Sequence, residues 1–432
     1  MGMIYNGEYE TMSRDDIEQL QIERLQGTLN RVYRNVSFYK QAFEERGVSV
    51  EKIKSLSDLR ELPFTTKEDL IRSYPYGMFA VPLRDIVRIH SSSGTTGKPI
   101  VVGYTQNDIR HWSELVARLL TAGGVTNQDF VQIALNYSLF TGGLAYHYGA
   151  EKIGSSVIPA SVTGDIEKQI MIMRDYRTTA LVSTPSYALT IANAVAELNL
   201  HPEELHLKYG LFSAEPWSEA VRSKIEEKLR IVATDNYGLS EIMGPGVSGE
   251  CQEKNGLHVN EDHFIVEVID PKTLAPRKTG EEGELVFTTI TKEGFPLIRY
   301  RTGDIASLME GTCPCGRTFV RMSRVTGRSD DMMLVNGVQV YPSQIEEALM
   351  KLGGNVPPYQ VVLGRENETD TIEIMLPISG GGVLDEMKNL LQYRDRVRTA
   401  VGASVGMPVK ITLVEPETLK RFESKSKVTD RR

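Results

Sequence analysis

Cysteine is scarce: the chain has three in 432 residues. So small and odd a number cannot form the disulfide framework of a compact secreted protein, so the fold must rest on an apolar core. Long apolar runs are also missing. Nothing approaches the roughly eighteen consecutive apolar residues of a spanning helix, and the opening Met1-Gly2-Met3-Ile4-Tyr5-Asn6-Gly7-Glu8 lacks the basic-then-apolar order of an export signal. There is no excess of positive charge, with 49 Lys and Arg against 57 Asp and Glu and a formal net charge of −8. That disfavours a nucleic-acid or anionic-membrane surface, which needs clustered cations. These absences predict a cytoplasmic protein with neither nucleic acid nor membrane as partner. Internal repeats and low-complexity tracts are absent too.

What remains is ordinary for a globular protein, 41% hydrophobic and 25% charged, with length for two or more domains. Apolar residues at helical spacing from Ser13 to about Glu45, with Ser13 and Asp16 as a capping pair, predict a helix that packs on the main domain or on a second subunit of a homodimer. Thr65 and Glu68 read as a capping box starting a shorter helix. From about 106 to 233, helices alternate with strands near 130–135, 155–159, 179–183, 209–213 and 231–233, the pattern of a largely parallel α/β sheet. Such sheets bind ligands at the carboxyl ends of their strands, where loops follow Leu135, Ser213 and Ala233. From about 257 short strands separated by Gly, Pro and Lys turns predict a β-rich subdomain to about 326, and residues 329–432 suffice for a small α+β domain. The expectation is α/β overall: a large N-terminal domain, 1–328, and a small mobile C-terminal one.

The stretch with the most specific chemistry is Ser91-Ser92-Ser93-Gly94-Thr95-Thr96-Gly97-Lys98-Pro99, between the β-branched runs Val87-Arg88-Ile89 and Ile100-Val101-Val102. Gly94 and Gly97 let backbone N–H groups turn inward, the hydroxyls add neutral donors and Lys98 adds charge, so Ser92 to Lys98 read as a phosphate-binding loop. It is not the P-loop of kinases and ATPases, because Ser92 and Pro99 stand where that pattern needs Gly and Ser or Thr. It resembles instead the nucleotide loop of the adenylate-forming enzymes, the superfamily of acyl-CoA synthetases.

Three more stretches carry the same resemblance. Asn236-Tyr237-Gly238-Leu239-Ser240-Glu241 is similar to the segment that lines adenine, meets a phosphate through Ser240 and holds Mg²⁺ through Glu241. Ser213-Ala214-Glu215-Pro216-Trp217 is similar to the adenine-side loop. Tyr300-Arg301-Thr302-Gly303-Asp304 resembles the segment whose Asp accepts the ribose hydroxyls, and Gly327-Arg328-Ser329-Asp330-Asp331 the interdomain hinge, with Arg328 at the nucleotide and Asp330 at the pivot. Leu62-Pro63-Phe64-Thr65-Thr66-Lys67, Tyr76-Gly77-Met78-Phe79-Ala80-Val81-Pro82 and Tyr341-Pro342-Ser343-Gln344-Ile345-Glu346-Glu347 narrow the resemblance to the phenylacetate-CoA ligase family. It implies ATP, Mg²⁺ and coenzyme A as participants and an acyl-adenylate as intermediate. Tyr137, Phe140 and Gly142 are the expected walls of an aryl-acid site. The tail departs from the usual Gly-Lys pair and reads Ser424-Lys425-Ser426-Lys427, so alignment puts Lys425 at the adenylation position with Lys427 as rival. A different acyl acceptor (amine, phenol or carrier protein) and a nucleotide-binding regulator without turnover are the competing readings.

One further constellation stands apart from the nucleotide. Cys251 and His258 lie in one Gly-rich segment, Cys313 and Cys315 in another, so all three cysteines and one of seven histidines form two pairs. Four such ligands predict a closed tetrahedral site for structural zinc.

Overall fold

The computed structural model describes residues 2–92, 99–139, 141–162, 165–329, 333–336, 338–353, 356–366, 369–378, 385–420 and 428–431. Ser93 to Lys98, Phe140, Asp330, Lys425 and Lys427, all named above, lie outside them. The chain forms two compact units, one of Met1–Glu215 with Arg222–Val325, the other of Pro216–Val221 with Thr326–Arg432.

The first unit is built on a nine-stranded sheet. In space it runs from Leu308–Met309 through Arg321–Met322, Leu257–Val259, Gly244–Glu250, Val232–Leu239, Tyr209–Ser213, Ala180–Ser183 and Phe130–Ile133 to Ser156–Ile158. The five strands from Val232–Leu239 to Ser156–Ile158 are parallel, joined by helices that include Gly142–Ile153, Pro185–Glu197 and Glu219–Leu229. The remaining four extend the sheet antiparallel. Ala180–Ser183 is buried at every position, as a strand covered on both faces must be. Phe264–Ile269, Gly283–Thr289 and Tyr300–Ala306 pair antiparallel in a second sheet, within the stretch expected to be β-rich. The short strands at 257, 308 and 321 join the large sheet rather than a separate β-rich subdomain.

The N-terminal helix differs from expectation in one respect. Val36 takes an extended conformation, φ −117° and ψ 106°, and divides it into Arg14–Asn35 and Ser37–Arg46. Ser13 caps the first, accepting from the Asp16 amide, and Ile17, Leu25, Leu29 and Val32 are buried. Leu25, Leu29 and Val32 join the main core of this same unit, so the helix packs on its own domain. Thr65 does not cap the next helix. Thr66 does, with Asp69 closing the box, while Thr65 is buried and donates to Ile298 O at 2.6 Å.

The second unit has its own core, in which Ile345, Leu349, Val361, Ile374, Val397 and Val401 meet. Its sheet is ordered Lys410–Val414, Thr369–Pro377, Gln360–Glu366, Val428–Asp430 and is packed by Pro342–Gly353 and Asp385–Val405. Val428–Asp430, which the sequence pattern did not disclose, pairs parallel with Val361 to Leu363.

Candidate nucleotide and metal sites

The loop expected to hold phosphate springs from an antiparallel pair, Arg88–Ser91 with Val101–Tyr104. Its base is closed reciprocally, the Ser92 amide donating to Ile100 O and the Ile100 amide to Ser92 Oγ, both at 3.0 Å. Ser92 is thus a structural fixture. The neighbouring Ser91 amide donates to Leu139 O at 3.1 Å, which brings the loop base beside the Gly-rich connection of residues 136–143. Gly143 is needed there, because a Cβ would lie 2.7 Å from Asn136 O. Gly142 starts the next helix under less constraint, a Cβ there meeting Leu135 Cδ1 at 3.3 Å.

The strand Val232–Leu239 runs longer than the expected 231–233, so Asn236, Tyr237, Gly238 and Leu239 lie within it rather than after it. Its register shifts between Tyr237 and Gly238, and the chain then folds back into Gly244–Glu250. Gly238 is required by that hairpin: a Cβ would sit 1.7 Å from Gly244 O. The turn at 240–243 hangs on its carbonyls. Tyr104 Oη donates to Ser240 O at 3.4 Å, Lys292 Nζ to Glu241 O at 3.0 Å and Ile242 O at 2.6 Å, and Trp112 Nε1 to Pro245 O at 2.7 Å. Ser240 Oγ lies 3.3 Å from Thr141 Oγ1, joining this turn to the Gly-rich connection.

The polar groups on this rim are chemically incomplete within the described residues. Asn236 is 2% exposed, and neither its amide oxygen nor its nitrogen has a partner. Buried amides are nearly always bonded, so an orphaned one at a strand end suits a ligand edge with both donor and acceptor. Glu241 is 8% exposed, and its carboxylate has no hydrogen-bond partner among the described residues. Tyr237 Oη donates to Asp304 Oδ2 at 2.7 Å, which fixes that carboxylate against the aromatic ring. Ser213 lies in register beside Asn236. Ala214, which follows it, holds a left-handed φ of 77°, a strained conformation for alanine. Glu215 is anchored, accepting the Ser186 amide at 2.7 Å.

Ser92, Gly142, Ala214, Glu215, Asn236, Tyr237, Gly238, Ser240, Glu241 and Asp304 therefore lie in one unit, Tyr237 and Asp304 linked directly; Pro216 and Arg328 belong to the other. Tyr137 packs against the edge of the main core with its hydroxyl 3.3 Å from His147 Nδ1, and burial raises its pKa. Sequence reasoning overlooked Lys292. It is 1% exposed, 4.7 Å from the Tyr104 ring centroid, and burial lowers its pKa to about 7 against the opposing pull of Asp108 and Glu241. Its setting, Thr291-Lys292-Glu293-Gly294, looks like a solvated turn.

The four metal-ligand candidates meet. Their ligand atoms lie within 4.8 Å of one another and all four residues are buried. Cys251 Sγ is 3.7 Å from Cys313 Sγ, and Cys315 Sγ is 3.5 Å from His258 Nε2. Hydrogen bonding between Cys251 and Cys315 lowers the pKa of the Cys315 thiol and raises that of Cys251. The same knuckle grips the N-terminal segment: the Gly2 amide donates to Cys315 O at 3.2 Å and Arg317 Nε to Glu10 Oε2 at 2.5 Å.

Comparison with known proteins agrees with this geometry. The AMP-binding enzyme family matches residues 19–291, and the AMP-binding enzyme C-terminal domain matches 337–432. The phenylacetate-coenzyme A ligase of Thermus thermophilus is 45% identical over 98% of this chain and 97% of its own length. 2-Hydroxyisobutyryl-CoA ligase, solved in the postadenylation state with 2-HIB-AMP, superposes with a TM-score of 0.88 at 27% identity, covering 99% of this chain and 92% of that one. Its thioesterification state with 2-HIB-AMP and CoA gives 0.73 at 28% identity, with coverage of 98% and 91%. With both domains matched and close identity maintained from end to end, the chain belongs to the phenylacetate-CoA ligase family of AMP-binding enzymes.

Proposed function

We propose that this chain activates an aryl acid of the phenylacetate type with ATP and passes the acyl group to coenzyme A. The ATP-dependent ligation through an acyl-adenylate is the family's chemistry. The choice of an arylacetate rests on the kinship with phenylacetate-CoA ligases and on Tyr137, whose ring borders the Gly-rich connection. The observation that carries the nucleotide reading is the run from Asn236 to Glu241: a buried amide and a carboxylate without hydrogen-bond partners among the described residues flank, on a single strand and turn, an aromatic hydroxyl bonded to Asp304.

The reaction must bring two anions together, an acid and the α-phosphate of ATP, so neutralising charge is its main task. Asn236 would pair with the adenine edge, Asp304 would accept from the ribose, and the amides and hydroxyls of 93–97 with Lys98 would take the phosphates, on the loop base that Ser92 closes. Glu241 suits Mg²⁺, which is bound by one or two carboxylates with water and phosphate completing its shell. That cation would supply charge compensation at the phosphates. Lys425 would assist adenylation, Arg328 would reach the nucleotide, and Asp330 would allow the small domain to rearrange before CoA attacks. The two named states of 2-hydroxyisobutyryl-CoA ligase are the precedent for that rearrangement. Cys251, His258, Cys313 and Cys315 would hold a structural zinc ion.

A panel of acids in a pyrophosphate-release assay tests the substrate reading. Phenylacetate and its ring-substituted relatives should far outpace acetate and fatty acids, and equal rates on acetate and phenylacetate would refute it. Pyrophosphate release without CoA consumption would favour another acceptor.

A further inference from the structure

The turn that carries Glu241 is held in an unusual way. The amides of Ile242 and Met243 both donate to Leu239 O, so the carbonyls of 240–242 point away from any strand partner. Buried carbonyls need partners, and here side chains provide them. Tyr104 serves residue 240, while one Lys292 ammonium serves both 241 and 242. Lys292 is enclosed by the rings of Tyr104 at 4.7 Å and Phe295 at 5.3 Å. An ammonium is a costly occupant for such a place, and a methionine would fill a similar volume without that desolvation. What the amine adds is a pair of donors aimed at two successive carbonyls. The chain beside Lys292 is fixed as well, since Asp108 accepts the amides of Glu293 and Gly294 at 2.7 and 2.9 Å.

We propose that Lys292 is a positioning residue for adenylation: by holding the carbonyls of Glu241 and Ile242 it fixes the main chain from which Glu241 presents its carboxylate to the divalent cation of ATP. Lys292 does not itself touch the nucleotide. The inference rests on the reading of Glu241 as the magnesium carboxylate. A carboxylate on a loose turn must be ordered at each binding event, and that cost is charged to cation affinity.

The test compares the full chain with Lys292→Met, Lys292→Arg and Glu241→Gln. ATP binding is followed by calorimetry across a magnesium titration, hydrogen exchange is read over residues 239–244, and the two half-reactions are assayed separately. In Lys292→Met the magnesium midpoint for ATP binding should rise about tenfold, the usual scale for losing an outer-shell support. Exchange over 239–244 should accelerate, adenylation should recover in excess magnesium, and thioester formation from supplied acyl-adenylate should be unchanged. An unmoved midpoint with equal losses in both half-reactions shows a merely structural lysine and overturns the proposal. Should Lys292→Met fail to fold, Lys292→Arg decides: its donors sit at a different reach and should shift the midpoint roughly threefold, a small fraction of the outer-shell range, and no shift overturns the proposal. Glu241→Gln separates the two readings. If it leaves the midpoint in place, the reading of Glu241 fails; if it moves the midpoint and Lys292→Met does not, only the inference about Lys292 fails.

Discussion

Stripping metal from the Cys251, His258, Cys313 and Cys315 cluster should destabilise the first unit without unfolding it outright. A tetrahedral zinc with Zn–S about 2.3 Å and Zn–N about 2.0–2.1 Å has S···S edges near 3.8 Å and S···N edges near 3.6 Å. The 3.7 Å between Cys251 Sγ and Cys313 Sγ and the 3.5 Å between Cys315 Sγ and His258 Nε2 are close to such edges, and all four ligand atoms lie within 4.8 Å of one another. An ion bound at a hundred times its Kd stabilises by about 2.7 kcal/mol. For a domain of this size each kcal/mol moves Tm by roughly 2 °C, so chelation should lower Tm by about 5 °C. The effect should be felt first at the N-terminus, because Gly2 and Glu10 are tied to residues 315 and 317. The assay is elemental analysis of purified protein together with thermal scans with and without chelator, repeated on Cys315→Ser. One zinc per chain, the Tm loss, and faster hydrogen exchange over residues 2–12 are expected. Well under one zinc per chain in untreated protein, with a Tm that neither chelator nor Cys315→Ser changes, refutes the reasoning.

Asp304→Ala should raise KM for ATP about 10- to 100-fold, the worth of hydrogen bonds to a charged acceptor, and erase the preference for ATP over 2′-deoxy-ATP. Steady-state kinetics with both nucleotides check it, and a retained preference would free Asp304 from the ribose. Lys425→Ala should cut adenylation by roughly a hundred- to a thousand-fold while sparing thioester formation from supplied acyl-adenylate; a loss seen only in Lys427→Ala would move the role two residues on. His111 supplies a pH dependence: burial, then the neighbouring His263, lowers its pKa to about 4. Between its unfolded value near 6.5 and about 4 the unfolded chain binds a proton that the folded one refuses, so stability falls as pH drops through that window. Allowing for solvent screening the loss is about 1–2 kcal/mol, measurable as a urea-midpoint shift between pH 7.5 and 4.5 that His111→Gln should reduce.

Much of this architecture is legible in the residues because local chemistry decides it. The α/β alternation, the strand pair about 92–100 and the antiparallel Phe264–Ile269 follow from apolar periodicity. Cys251, His258, Cys313 and Cys315 are readable as one site from residue type alone, although the strands around them are brought together by the large sheet. What escaped depends on contacts distant in sequence. Helical spacing continues across Val36 although the chain breaks there. Thr65 and Thr66 look alike as caps until Ile298 O claims Thr65. Asn236 and Tyr237 look like loop residues because their strand is to be completed by Gly244–Glu250. Lys292 looks solvated because Tyr104 and Phe295, which enclose it, have no signature in its own turn.

The central claim, that this chain joins acid to CoA through an acyl-adenylate, is tested most directly by isotope transfer. Phenylacetate labelled with ¹⁸O in both carboxylate oxygens is turned over with ATP, Mg²⁺ and CoA, and the products are weighed by mass spectrometry. If a carboxylate oxygen attacks the α-phosphorus and the thiol then attacks the acyl carbon, AMP leaves with one labelled oxygen and the thioester keeps the other. AMP free of label, or label in pyrophosphate, would contradict the account.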